Sequence, residues 1–160
     1  MRKDSHGFSW LEIIIIIVII LLTAGILVPN LWKSKTQINE TAAVRSIRTI
    51  IAAEVNYAQS YGTGYTSSLS NLGPPPDAMP SSSLAGYVDS ELAEGLKEGY
   101  SFVYTPGPRA DNGRIQTYTL KVTPVKPGET GNTFYFVDQT GLIRVNTSHE
   151  AGPKDNPIGG

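Results

Sequence analysis

The chain has 160 residues, 13 basic and 14 acidic, with a formal net charge of −1, two histidines and no cysteine. That length fits one domain, and the near-neutral charge argues against a nucleic-acid binder that works through a basic field. Zero Cys excludes disulfides, thiolate metal sites and a cysteine nucleophile.

The 40% apolar content is unevenly placed. Between Phe8 and Val28, 17 of 21 residues are apolar, and Ile13 to Leu22 is an unbroken apolar run. As a helix this stretch spans about 31 Å at ~1.5 Å per residue, roughly one hydrocarbon core. A core helix of a small domain shows a polar face and this run has none, so it reads as a membrane-spanning helix. A cleaved secretory signal is the alternative. Its basic start exists, as Arg2 and Lys3. The apolar stretch is longer than a signal needs, however, and it ends at Val28-Pro29-Asn30-Leu31-Trp32 without a small-x-small site. Lys33 and Lys35 follow the span, so charge leaves the orientation open.

Glu12 is the only charged residue from Phe8 to Val28. A carboxylate within a bilayer costs several kcal/mol unless it is paired or close to the interface. One reading places Glu12 near the end of the span, reaching headgroup water. The other requires a cation at matching depth. A cut between Gly7 and Phe8 would supply one, the new α-amino group of Phe8, at the i, i+4 spacing from Glu12.

Gly7-Phe8-Ser9-Trp10-Leu11-Glu12, followed by an isoleucine-rich run and Pro29-Asn30-Leu31, resembles the N-terminus of type IV prepilins, a family of pilus subunits and of type II secretion pseudopilins. The resemblance implies a structural subunit of a type IV pilus-like filament and not an enzyme. It implies cleavage after Gly7 by a prepilin peptidase and N-methylation of Phe8. It also implies a register-setting pair between Glu12 and the Phe8 amino group of a neighbouring subunit; the sequence itself leaves pairing within one chain equally open. The implied partners are further copies in a helical filament, the peptidase, an inner-membrane platform protein with its assembly ATPase, and membrane lipid before assembly. The implied location is a single inner-membrane pass with a cytoplasmic N-terminus, then a cell-surface or periplasmic filament. Nothing in the chain points to nucleic acid. A pseudopilin of type II secretion, or a membrane-tethered binding module that stays monomeric, are the alternatives.

Helical spacing continues past Pro29. Ala43, Ile47, Ile50, Ile51, Val55 and Ala58 recur at three- and four-residue steps, with Arg45, Arg48 and Asn56 mainly on the other side. This predicts a core-facing stripe up to Tyr61, stopped by Gly62-Thr63-Gly64. Gly25 and Pro29 interrupt the long helix, because proline removes an N–H and crowds the preceding turn. They mark either a simple helix end at the membrane boundary or a hinge; family resemblance favours the hinge.

Residues 62–87 read as a loop, since Pro74-Pro75-Pro76 and Pro80 exclude regular structure. A short helix is expected from about Asp89 to Glu98, capped by Asp89 or Ser90. Four strands follow. Tyr100, Phe102 and Tyr104 alternate with polar or smaller residues, as do Tyr118, Leu120 and Val122; Thr133–Val137 and Leu142–Val145 are joined by a tight turn through Gly141. The expected fold class is therefore α+β: a long N-terminal helix packed on a four-stranded antiparallel meander, pilin-like. In segments, the chain divides into a leader at 1–7, a transmembrane and assembly helix at 8–29, its amphipathic continuation at 30–61, a Pro/Ser-rich loop and short helix at 62–99, the sheet at 100–146, and a disordered tail at 147–160.

No catalytic constellation is present, and no cofactor or metal is expected. His149 has no motif around it, and His6 lies in the leader. Asp111-Asn112-Gly113 could hint at calcium, but it reads first as a turn between strands. Eight Tyr and four Phe invite a conducting stack or a sugar-binding face, yet strand positions facing a core make packing the default.

Overall fold

The computed structural model describes residues 10–77 and 79–159, with side chains at 10–23, 33–77 and 79–159. Gly7 and Phe8 therefore lie outside the described residues. Two compact units divide between Lys35 and Thr36, and each is described by itself.

Helix α1, Trp10–Tyr61, supplies residues 10–35 to the first unit and 36–61 to the second. Its helical backbone continues through Gly25 and Pro29. A proline in a helix loses one hydrogen bond but keeps a φ that suits the helix, and the helix does not end there.

The expectation of a single inner-membrane pass is corrected. Among the described residues, no helix is long and apolar enough to cross a membrane. Apart from Glu12, the described side chains of α1 are apolar from Trp10 to Leu22, and this stretch stops at Thr23.

In the second unit the fold is α+β, with a five-stranded antiparallel sheet. The strands are β1 (Leu96–Lys97), β2 (Tyr100–Pro106), β3 (Tyr118–Pro124), β4 (Phe134–Asp138) and β5 (Arg144–Asn146), each paired with the next in chain order. Four of the five fall close to the expected positions. The fifth, β1, occupies residues expected to close the short helix. Helix α2 is only Ser90–Ala93, capped by Asp89, whose Oδ1 accepts from Leu92 N at 3.0 Å. Gly95 then takes φ +80, a left-handed conformation that ends a helix and that glycine adopts without strain. Leu96 and Lys97 turn back to pair with Ser101 and Tyr100.

Alternation along the strands gives the sheet one core face. Tyr100, Phe102, Tyr118, Leu120 and Val122 are buried there. Ala43, Ile47, Ile50, Ala53 and Tyr57 of α1 join them in the core, with the spacing of a helical stripe. The 3₁₀ turn Leu69–Leu72 adds its two buried leucines from within the proline-rich loop. The loop from β3 to β4 is tied to the N-terminal part of the same helix segment. Asn39 Nδ2 donates to Thr130 O at 2.9 Å, and Asn132 N donates to Glu40 Oε1 at 2.8 Å.

The C-terminal segment shows no hydrophobic period, which predicts disorder. It is instead folded back along β5, with Val145 N donating to Asn156 O and Ile158 N to Ile143 O, both at 2.9 Å. Polar side chains organise this return. Asn146 Nδ2 and Gly152 N donate to the Asp155 carboxylate at 2.8 and 2.7 Å, and they hold that carboxyl below its usual range.

Candidate functional site

Two places carry more chemistry than packing requires. The first is the start of α1. From Ile13 to Leu22 every residue is apolar, and each is between 39% and 67% exposed. Exposure does not alternate with helical period, so there is no buried side and no polar side. Trp10 and Leu11 extend this surface, and Glu12 lies in the first turn of the helix. Thr23 is the first polar residue after the run; its hydroxyl is 2.8 Å from Ile19 O and 3.0 Å from Ile20 O, so it is satisfied within its own helix.

Burying one such Ile or Leu side chain gains ~1.5–3 kcal/mol. A continuous apolar surface of this kind marks an interaction site. Of the residues assigned to cleavage, methylation and register, Glu12 is described and exposed at this end of the helix, while Gly7 and Phe8 fall outside the described residues. Gly25 and Pro29, assigned to a hinge, lie within α1.

The second place is inside the second unit, and the sequence reading does not anticipate it. Glu54 is fully buried, on the same helical stripe as Ile47 and Ile50. Its Oε2 accepts from Thr66 N at 2.9 Å, and its Oε1 lies 2.5 Å from Thr66 Oγ1. Tyr104 covers the same group, its hydroxyl donating to Thr66 O at 3.0 Å. Tyr118 stacks on Tyr104 with ring centroids 5.4 Å apart, and Tyr65 meets Tyr118 edge-on at 4.9 Å. Burial and hydrogen bonds from Thr66 and Tyr104, and no cation, act on the Glu54 carboxyl among the described residues.

Burial pushes the Glu54 carboxyl above its usual range, and the hydrogen bonds from Thr66 and Tyr104 only partly oppose this. Burial, reinforced by the nearby carboxyl, also raises the Tyr104 and Tyr118 hydroxyls. Tyr135, elsewhere in the core, is pushed up to about 12 by burial and by Glu40. In the sequence Glu54 stands four positions after Ile50, and an apolar pattern passes over it as one more polar residue. The three- and four-residue steps 43, 47, 50, 54 and 57 are the signal that would have found it.

Among the described residues, no group of three or more His, Cys, Asp or Glu side chains is placed to hold a metal ion. Comparisons with family models, with curated proteins and with solved structures found no match.

Proposed function

We propose that this chain is a structural subunit of a type IV pilus-like filament, polymerised through the start of α1. One observation carries the reading: the helix from Ile13 to Leu22 is apolar and exposed on every side. A dimer would cover one stripe of such a helix. Covering all of it takes several neighbours, and a head-to-tail contact repeated by rotation and rise supplies them from copies of one chain. The Gly7-Phe8 and Glu12 pattern supports this reading. So does an α+β head with an antiparallel meander, in which residues 43–57 of the helix line the sheet.

In this reading a prepilin peptidase cuts after Gly7 and methylates Phe8. The Phe8 amino group of one subunit meets Glu12 of its neighbour, so that a salt bridge between otherwise apolar helices fixes their register. A buried charge pair is weak as a source of stability but discriminates sharply between registers, because a shifted register leaves both charges unpaired. A platform protein and an assembly ATPase add subunits at the base.

The test is Glu12→Ala in cells that make the filament. Cleavage is expected to stay at the wild-type level, since the cut lies on the other side of Phe8, while sheared filament falls at least ~10-fold, the loss expected when ~1.4 kcal/mol or more of pairing is removed. Wild-type filament yield from this variant would overturn the pairing argument.

A further inference from the structure

Glu54 has no part in the assembly surface, yet burying a carboxyl without a cation is costly unless the group stays neutral. What it holds is specific. Thr66 lies in the segment that leaves α1, where Gly62 and Gly64 take φ values of +67 and +79. That segment in turn grips the loop between β2 and β3: Tyr65 N donates to Ile115 O at 2.8 Å, and Ile115 N donates to Thr63 O at 3.2 Å. The fit is close at this point, because a Cβ added at Gly64 would meet the Ile115 carbonyl.

We infer that Glu54 is a proton-dependent latch: as the neutral acid it holds residues 62–66 and the 107–117 loop against the end of α1, and as the carboxylate it releases them. With a proton on Oε1, the acid donates to Thr66 Oγ1 while Oε2 accepts from Thr66 N, so both oxygens are satisfied without charge. When the proton leaves to solvent, a carboxylate remains among the rings of Tyr104 and Tyr118, and it gains hydration by moving out with Thr66.

The groups facing it do not compensate the charge. Thr66, from the departing segment, does not titrate. Tyr104 of β2 and Tyr118 of β3 remain neutral as the carboxyl ionises, and Tyr65 meets Tyr118. Asp138 of β4 acts on Tyr118 with the same sign as Glu54. On α1 itself, Tyr57 turns its hydroxyl to Ser82 O at 2.7 Å.

The sign of the pH dependence follows. The closed state binds this proton more tightly than the open state, so the latch is complete below the ordinary carboxyl value of ~4.3. It is lost as pH rises through the higher value of the closed state, and the opening constant climbs by up to ~10-fold per pH unit between the two before levelling.

The experiment is amide hydrogen exchange on the full chain, read at Tyr65, Thr66 and Ile115 and corrected for intrinsic base catalysis. In the wild type, protection at these three amides is expected to fall ~10-fold or more across that window, while amides of Leu120 and Val122 do not change. In Glu54→Gln, which keeps the shape and cannot ionise, protection at the three amides stays flat with pH. A carbon-13 titration of the Glu54 carboxyl in the wild type needs no variant and is expected above the ordinary carboxyl range. Equal pH dependence in wild type and Glu54→Gln, or a Glu54 carboxyl titrating at or below the ordinary value, would overturn the latch.

Discussion

A chain carrying Ile16→Asp folds its head and yields no sedimentable filament. Ile16 lies in the middle of the apolar run, 45% exposed, where the filament reading buries it among neighbouring helices. A carboxylate forced into such a contact without a partner costs several kcal/mol. A penalty of ~3 kcal/mol weakens each subunit contact by ~100-fold or more. The damage is specific to assembly, because residue 16 belongs to the first unit and the core of the second contains none of its atoms. Thermal unfolding of the second unit should therefore match the wild type. Ile16→Leu is the control; it keeps apolar volume and should retain assembly. Wild-type sedimentation of the Asp variant would mean that this surface is not buried between subunits.

The largest effect on the head is expected from Leu120→Ala. Leu120 is fully buried on β3, between Tyr104 of β2 and Val137 of β4. Truncation removes apolar contacts and leaves a cavity in a core bounded by a helix and a sheet, costing ~3 kcal/mol, within the usual range for such changes. In a unit of this size that lowers the melting temperature by roughly 10 °C. Val103→Ala, on the outward face of β2 and 52% exposed, should change stability by less than ~0.5 kcal/mol. Thermal denaturation of the two variants side by side checks both. A Leu120→Ala protein as stable as Val103→Ala would contradict the assignment of the core face.

Much of the head is legible in the sequence because strands and amphipathic helices announce themselves by period. Tyr118, Leu120 and Val122 alternate with Thr119, Lys121 and Thr123, and the structure puts the first set inside. The apolar helix stripe holds through Ala43, Ile47 and Ile50 and then drifts to Val55, which is exposed. The true continuation passes through Glu54, a position that apolar period alone discounts. The Asp89 cap of α2 is legible from residue type alone, whereas the Asn146 and Asp155 contacts that fold the C-terminal segment back leave no periodic trace. The membrane pass fails for a different reason. It rests on composition over Phe8 to Val28, whereas among the described residues no helix is long and apolar enough to cross a membrane.

The apolar start of α1 and the Gly7-Phe8 and Glu12 pattern make one claim together, that the chain is cut after Gly7 and polymerises through the helix that follows. The mass of the subunit taken from sheared filaments of producing cells tests it most directly. The account predicts a chain that begins at Phe8 and carries one methyl group on its N-terminus. A subunit that begins at an intact Met1, or one cut near Pro29, would contradict it.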